Sequence, residues 1–307
     1  MNSLFYNFRK VILSVLLISV SSCDTHIEEG IKKSDLTKDV EMVTDYGTII
    51  MRLSDETPKH RNNFIKLVNQ KYYDSLSFHR VIENFIIQTG DPKTKAQNLD
   101  LDVNINNLPE LIDSEFKPNL FHKRGALNAA RMPDNINASR ASSGSQFTIV
   151  QGKRHNDSTL SVSENRINNW LAYNNVLNSP QFKVDVDNYQ NIIKKLQPIK
   201  EEDFSEADVA LYKTLKSKFE SFNFDSLAKI EYKSMQKYSY PDAHREIYKT
   251  VGGAPHLDQN YTVFGEVVKG MEVVDNIAAV KTEGRNRPIK DVRIITARMI
   301  KRKSYND

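Results

Sequence analysis

The sequence has little cysteine and little glycine, with one cysteine and 11 glycines among 307 residues. One thiol cannot form an internal disulfide and cannot supply the several thiolate ligands of a zinc-finger site. Apart from the N-terminal segment there is no long apolar run, which excludes a polytopic membrane protein. Neither sign of charge is in large excess, since 43 Lys and Arg residues are balanced by 39 Asp and Glu residues. We therefore expect no nucleic-acid partner.

Motifs of metal and nucleotide chemistry are absent as well. The sequence contains no HExxH, P-loop or GxGxxG pattern, and its seven histidines are scattered. The run Ser143–Gln146 lacks the second glycine of a nucleophile elbow. We therefore expect no metal, no cofactor and no nucleophilic triad.

The first 22 residues predict a secretory signal peptide. Arg9 and Lys10 precede the apolar stretch Val11–Val20, which has about half the length needed to cross a bilayer. The protein is therefore expected outside the cytoplasm, in a bacterial cell envelope.

The only cysteine, Cys23, follows two serines at the end of this segment. This arrangement resembles the lipobox of bacterial lipoproteins, with Val20 where that motif usually has leucine. It predicts lipidation at Cys23 and a membrane anchor on the non-cytoplasmic side. The alternative is an ordinary signal peptide followed by an incidental thiol. Residues 23–39 are polar and predict a flexible tether.

Between Gly152 and Gly252 the chain contains no glycine, whereas the rest holds all 11. Apolar residues at helical spacing, with Ile167, Trp170 and Leu171 in the first stripe, predict a helical insertion over residues 155–240. A capping box at 161–164 predicts the start of its first helix. The insertion is either a structural element or a surface that selects partners or clients.

Other patterns predict a β-rich domain around this insertion. An Asp-Tyr-Gly turn at 45–47 joins two β-branched runs into a hairpin. Thr57 followed by proline predicts the start of a helix over Pro58–Asn69. A second helix is predicted over Gly270–Val280. Strands are predicted at Leu76–Gln88, Gly125–Ala130, Gln146–Val150, Thr262–Val268 and Val292–Met299.

Three segments carry a family resemblance. They are FHRVIENFIIQTGD at 78–91, GSQF at 144–147, and HLD with YTVFGEVVKGM within 256–271. In this order they resemble the cyclophilin family of peptidyl-prolyl isomerases. The resemblance covers Val40–Gly152 and about Gly252–Arg298.

The resemblance implies a mainly β fold. The expected domain is a closed eight-stranded antiparallel barrel with two capping helices, formed by residues 40–154 and 241–302. The helical insertion 155–240 lies between these two parts of the barrel.

The resemblance also implies site residues. Arg80 matches the catalytic arginine, and Gln88 matches a glutamine near it. Thr148 stands where the family has a pocket phenylalanine, and His256 where eukaryotic members have a tryptophan. Read from the residue alone, Arg131 could instead be a solvated cation at the rim. The substrate-binding positions implied are Phe85, Ile86, Ala130, Arg131, Gln146, Thr148, Leu257 and Tyr261.

These residue types suit rotation about an X-Pro bond. The barrier is about 20 kcal/mol because resonance gives the C–N bond double-bond character. In the twisted state the prolyl nitrogen becomes pyramidal and accepts a hydrogen bond, which a permanently charged guanidinium can donate. A 10⁴-fold acceleration requires roughly 5–6 kcal/mol. Arg80 beside apolar walls from Phe85, Ile86 and Leu257 could supply it without any cofactor.

Two functions therefore remain in view. The first is a monomeric peptidyl-prolyl cis-trans isomerase that acts on proline-containing clients in the envelope. The second is a chaperone that grips proline-containing segments and has weak or no turnover, because Thr148 replaces an apolar wall. In that case the insertion would be the main surface that acts on clients.

Overall fold

The computed structural model describes residues 26–95, 111–196 and 203–305. The predicted signal peptide and the predicted lipidation site at Cys23 lie outside the described residues. Seven helices are described: α1 Pro58–Asn69, α2 Asp157–Leu177, α3 Lys183–Leu196, α4 Glu206–Ser221, α5 Phe224–Ser234, α6 Asp242–Thr250 and α7 Met271–Ala278. None of the described helices is long and apolar enough to cross a membrane.

Fourteen strands are described, most of them short. They are β1 His26–Glu28, β2 Ile31–Lys32, β3 Lys38–Thr44, β4 Gly47–Leu53, β5 Arg80–Ile82, β6 Ile86–Thr89, β7 Leu111–Ile112, β8 Ala126–Ala129, β9 Ser142–Ser143, β10 Phe147–Val150, β11 Val263–Lys269, β12 Thr282–Glu283, β13 Arg287–Pro288 and β14 Ile294–Lys301.

Eight of these strands form one antiparallel sheet in the order β14-β3-β4-β11-β8-β10-β6-β5. The predicted hairpin around Gly47 is β3–β4, and helix α1 has the predicted bounds. Helix α7 lies within the predicted span 270–280. Each confirmed element is specified by a local pattern, namely a turn triplet, a proline at the first helical position, or apolar residues at fixed spacing.

The expected closed barrel is not shown by the strand pairing, because the edge strands β14 and β5 are not paired with each other. The residues just before β5 nevertheless reach the start of β14. The backbone N–H of Ser75 donates to the carbonyl of Ile294 at 2.8 Å, and that of Phe78 donates to Val292 at 2.9 Å. Ser75 has a φ of 66°, which interrupts regular strand geometry there. The sheet is therefore curled, and its two ends meet through irregular backbone.

The expectation of a mainly β fold is also not confirmed. The seven described helices contain more residues than the described strands, because the insertion alone contributes four long helices.

The core lies inside the curled sheet. Phe64 of α1 is in contact with three buried aromatic rings, at centroid distances of 4.9 Å to Tyr73, 5.1 Å to Phe147 and 5.3 Å to Phe264. Buried residues of α7 belong to the same cluster. The two helices predicted to cap the sheet thus both bury their apolar faces in one core.

The single strand predicted over Leu76–Gln88 is wrong. It is a hairpin of β5 and β6 whose turn contains Asn84 at a φ of 61°. Asparagine tolerates this left-handed conformation better than most residues. Apolar residues on both sides of the turn hid it from a pattern reading.

Residues 26–39 also differ from the expected tether. Strands β1 and β2 pair around Gly30, and Ile31 is fully buried in the main core. Asn69 at the end of α1 donates hydrogen bonds to the carbonyl of Gly30 and the carboxylate of Asp35, at 2.9 and 3.0 Å. Buried Ile31, partly buried Leu36 and the hydrogen bonds from Asn69 hold this polar segment against the core and α1.

The described part of the predicted insertion is mostly helical, but its first helix starts earlier than predicted. Helix α2 begins after Asn156, whose side chain accepts from the backbone of Thr159, and not at the predicted capping box. Helices α2 to α5 lie within the predicted 155–240, and α6 follows this span at Asp242–Thr250. The first stripe is only partly core-facing, because Ile167 is fully buried and Trp170 is half-buried.

Two apolar clusters fix α2 to the sheet domain. Leu160 and Ile167 pack with Tyr240 and Tyr248, and with Phe121 of the sheet domain. Near the other end of α2, a second cluster of α2, α3 and α5 includes Ala138. The first helix of the insertion is therefore held at both of its ends.

Both ends of the insertion are joined where the chain leaves and re-enters the sheet domain. Lys153 and Gly253 exchange backbone hydrogen bonds of 3.3 and 3.0 Å. A Cβ at Gly253 would lie 2.3 Å from the carbonyl oxygen of His122, so only glycine fits there. This close approach explains the return of glycine after the insertion.

Candidate active site

The hairpin β5–β6 places Arg80 directly opposite Gln88. The guanidinium Nη1 donates to Gln88 Oε1 at 3.2 Å, and Gln88 Nε2 donates to Gln146 Oε1 at 3.1 Å. None of the described carboxylates forms an ion pair with Arg80. Its remaining donors and its charge are therefore not used by a side-chain carboxylate.

Strand register continues this row across the sheet. Gln88 pairs with Thr148 of β10, and Thr148 pairs with Asn128 of β8. Directly opposed residues point to the same side of a sheet, so Arg80, Gln88, Thr148 and Asn128 share one face. This row forms the polar side of the site.

A close approach of two chain segments brings Gln146 to this row. A Cβ at Gly90 would lie 2.1 Å from the carbonyl oxygen of Ser145, so the end of β6 touches the segment before β10 only because residue 90 is glycine. Gln146 is thereby held against Gln88, which in turn orients the guanidinium of Arg80.

An apolar cluster lies beside the polar row. It contains Ile86 and Leu257, both buried, with Phe85 and Tyr261 partly buried against it. The ring of Phe85 lies 5.1 Å from that of His256. The side chains of this cluster are apolar or aromatic, which is the character of a surface that can hold a prolyl ring.

The turn that carries Leu257 is fixed by a buried carboxylate. Asp258 accepts from Tyr248 Oη of α6 at 2.7 Å, and its other oxygen lies 2.7 Å from Nδ1 of His122. The same oxygen accepts the backbone N–H of His122 at 2.9 Å. Helix α6 thus supports the apolar wall of the site.

One cavity of about 490 Å³ joins the polar and apolar parts. Of the ten predicted catalytic and substrate-binding residues, it brings together all except Gln146, which is hydrogen-bonded to Gln88 behind the row. Its lining residues are Arg80, Phe85, Ile86, Gln88, Asn128, Ala130, Arg131, Thr148, Arg166, Trp170, His256, Leu257 and Tyr261.

Thr148 forms a polar part of the cavity wall. Its hydroxyl donates to Asn128 Oδ1 at 2.6 Å, and the two side chains are 4% and 2% exposed. The hydroxyl that replaces the family's phenylalanine is therefore satisfied by an asparagine from the neighbouring strand. Sequence reading missed Asn128, and a small polar residue at 148 was the signal that a partner was needed.

Arg131 is not a solvated rim cation. Its side chain is 5% exposed and pairs with Asp134 at 2.6 Å, while its guanidinium lies 4.8 Å from the ring centroid of Tyr261. Asp134 also pairs with Arg140 at 2.7 Å, so two buried guanidinium groups share one carboxylate. Arg131 shapes the cavity with Tyr261.

Ala130 contributes its side chain to the cavity, whereas its backbone is already engaged. Its N–H donates to the carbonyl of Gln146 at 3.0 Å, and its carbonyl accepts from Ser143 at 2.8 Å. The carbonyl oxygen of Ala130 has a second lone pair, so it can still accept a hydrogen bond from a bound peptide, and the predicted role of Ala130 in substrate binding stays a prediction.

His256 is uncharged at neutral pH. Burial first, and then the nearby charge of Arg166, lower its pKa to about 4. A neutral ring at this position packs on Phe85 without the desolvation cost of a cation.

The insertion supplies two cavity residues that sequence reading did not place in the site. They are Arg166 and Trp170, one helical turn apart on α2, with the guanidinium 4.5 Å from the indole centroid. The stripe pattern assigned Trp170 to a packed face. Its position in the site depends on how α2 docks, which no local pattern reports.

The chain matches the model of a known protein family. The family model "Cyclophilin type peptidyl-prolyl cis-trans isomerase/CLD" matches residues 39–170 and 213–299. The stretch between these two parts, 171–212, lies in the helical insertion.

Two curated relatives are similar over most of this chain. A putative bifunctional phosphatase/peptidyl-prolyl cis-trans isomerase of Streptococcus pyogenes serotype M6 is 26% identical over 262 residues, which is 84% of this chain. The chain spans 37% of that relative's length. A putative peptidyl-prolyl cis-trans isomerase of Staphylococcus haemolyticus is 25% identical over 254 residues, covering 82% of this chain and 86% of the relative.

A solved structure is similar as well. The crystal structure of a Cryptosporidium parvum cyclophilin type peptidyl-prolyl cis-trans isomerase has a TM-score of 0.46 and 18% identity. The match covers 87% of this chain and 99% of that one.

Proposed function

This chain belongs to the cyclophilin-type peptidyl-prolyl cis-trans isomerase family, and from this premise we propose that Arg80 accelerates rotation about X-Pro bonds in the described cavity. The observation that carries the proposal is the row of Arg80, Gln88 and Gln146 beside an apolar cluster in one cavity.

The mechanism follows from the geometry of this row. The prolyl ring occupies the cluster of Phe85, Ile86 and Leu257, which excludes water from one side of the amide. Gln88 holds one guanidinium donor of Arg80 and thereby fixes the direction of the others. A free donor meets the prolyl nitrogen when the amide twists and its lone pair localises. No bond is broken and no cofactor is needed.

The required stabilisation is modest. A charge-assisted hydrogen bond contributes about 1.5–3 kcal/mol, and water exclusion strengthens it. With oriented binding of the ring, this reaches the roughly 5–6 kcal/mol that corresponds to a 10⁴-fold acceleration.

The decisive experiment is isomerisation of a proline tetrapeptide, followed by exchange NMR on the full chain. Arg80→Ala should lower kcat/KM by at least about 100-fold, since about 3 kcal/mol of transition-state stabilisation is lost. Arg298→Ala is the matched control, because Arg298 is 67% exposed on β14 and does not line the cavity. Unchanged turnover in Arg80→Ala contradicts the catalytic assignment.

The proposed setting is the bacterial envelope, with a lipid anchor at Cys23 and envelope or secreted proteins as clients. The support is the charged, apolar and small-residue order of the first 23 residues. Metabolic labelling with palmitate should be lost in Cys23→Ala. Label that persists in this variant rejects the anchor.

One observation favours the chaperone alternative. The cavity wall at Thr148 is a buried hydroxyl–amide pair instead of an apolar surface, and the insertion exposes Val162, Val184 and Ile230. Under this alternative the full chain suppresses aggregation of a proline-rich client, and Arg80→Ala suppresses it equally well. Loss of both activities in Arg80→Ala favours the isomerase.

A further inference from the structure

The insertion helix α2 forms one wall of the cavity that contains Arg80. Arg166 and Trp170 lie on this wall, and Trp170 also lines a second cavity of about 360 Å³. The two cavities share Arg131, Trp170 and Tyr261. A peptide bound at the prolyl pocket therefore continues along α2, where its flanking residues meet side chains of the insertion.

The charge of this wall is one-sided. The lining of the Arg80 cavity includes three arginines and no carboxylate. Arg131 shares the carboxylate of Asp134 with Arg140, whereas Arg80 and Arg166 form no ion pair with any carboxylate of the described residues. His256 carries no charge at neutral pH. The cavity thus presents positive charge to a bound peptide, including that of Arg80 and Arg166, which have no carboxylate partner among the described residues.

Arg166 is held in place by an aromatic contact. Its guanidinium stacks on Trp170 at 4.5 Å, and α2 is itself fixed to the sheet domain by Leu160 and Ile167. A guanidinium on an aromatic face keeps its in-plane donors free to bind a carboxylate. Arg166 is therefore oriented in advance and lacks only an anionic partner.

We propose that Arg166, supported by Trp170, selects substrates that carry a glutamate or aspartate within two residues of the proline. This proposal rests on the proposed isomerase function and adds a substrate class to it. Charge complementarity decides the occupant, since an acidic side chain compensates Arg166 without disturbing Arg80, whose charge is used by the reacting amide.

The test compares two series of tetrapeptides, one with Glu, Gln or Lys before the proline and one with the same residues after it. Exchange NMR on the full chain gives kcat/KM for each. A half-exposed charge pair predicts that Glu exceeds Gln by about five-fold in at least one series, and that about 0.5 M NaCl reduces this ratio. A ratio of one in both series overturns the proposal.

Variants test whether Arg166 causes the difference in kcat/KM between Glu and Gln peptides. Arg166→Gln should bring the Glu-to-Gln ratio to about one, and Arg166→Lys should restore part of it. Lys229→Gln is the matched control, because it removes the same charge from an exposed position on α5 outside both cavities. A five-fold ratio that persists in Arg166→Gln also overturns the proposal.

A binding measurement separates this proposal from the proposed function. Fluorescence anisotropy with labelled Glu and Gln peptides reports the preference without turnover. If no peptide is isomerised, the isomerase function fails, while stronger binding of the Glu peptide that depends on Arg166 still supports the acidic preference. Equal binding of both peptides rejects the preference whatever the turnover.

Discussion

The buried pair of Thr148 and Asn128 can be tested by replacing the threonine with valine, which keeps the shape and removes the hydroxyl. Asn128 Oδ1 then loses a donor at 2.6 Å in a place where the side chain is 2% exposed. Leaving a buried acceptor unpaired costs about 1–3 kcal/mol. Burial of the methyl group that replaces the hydroxyl offsets at most about 0.8 kcal/mol of this cost. We therefore expect a net loss of about 1 kcal/mol in the free energy of unfolding.

Urea unfolding followed by far-UV circular dichroism measures this loss. With a slope of about 2 kcal/mol per molar urea, the midpoint should fall by about 0.5 M. Thr48→Val is the matched control, because Thr48 is exposed on β4 and the change there should stay within about 0.5 kcal/mol.

A double variant tests directly whether Thr148 and Asn128 interact. Asn128→Ala combined with Thr148→Val removes both partners, so its loss should be smaller than the sum of the two single losses by about 1 kcal/mol. An unchanged midpoint in Thr148→Val, or strictly additive losses, would refute the assignment of this pair as a buried hydrogen bond. If the pair is correct, Thr148→Val also makes the prolyl pocket more apolar and lowers the Kd of a proline peptide.

Two further predictions concern pH and backbone geometry. The pKa of His256 is lowered from 6.5 to about 4 in the folded protein, so the unfolded chain binds the extra proton first and stability is lost as pH falls from about 6.5 to 4. Across this range the free energy of unfolding of His256→Leu should fall by on the order of 2 kcal/mol less than that of the unchanged protein. Urea midpoints at each pH measure both losses. Equal losses in the two proteins argue against a buried neutral histidine. Gly253→Ala should cost more than about 2 kcal/mol, because its Cβ would lie 2.3 Å from the carbonyl oxygen of His122, whereas at Gly284 nothing lies within 4 Å. A thermal shift assay compares the two alanine variants, and similar melting temperatures contradict the close approach.

Helix α1 shows what a local pattern can predict. Pro58 at the first helical position fixes its first turn, although Thr57 before it makes no side-chain capping hydrogen bond. The spacing of Phe64, Leu67 and Val68 fixes the face that is buried. These signals act within a dozen residues, so the predicted bounds agree with the structure. The hairpin β5–β6 shows the limit, because its turn contains only two polar residues, Glu83 and Asn84, between apolar residues, and this short break did not distinguish a turn from one continuous strand.

The polar row of Arg80, Gln88, Thr148 and Asn128 lies between these cases. Arg80 and Gln88 could be chosen from the sequence because they resemble a known motif, but their distance depends on the hairpin register. The partner of Thr148 could not be chosen, because Asn128 is twenty residues away on another strand. Pairing between strands is set by the whole sheet and not by either strand alone.

The sequence by itself determined which residue types are present for rotation about an X-Pro bond, where the first helix starts, and where a glycine-free insertion divides the domain. Only the tertiary structure decided that Arg166 and Trp170 of the insertion face the same cavity as Arg80. The physical reason is that periodicity shows which face of a helix is apolar, whereas the place where that face docks depends on complementary surfaces far away in the chain, here Tyr240 and Tyr248.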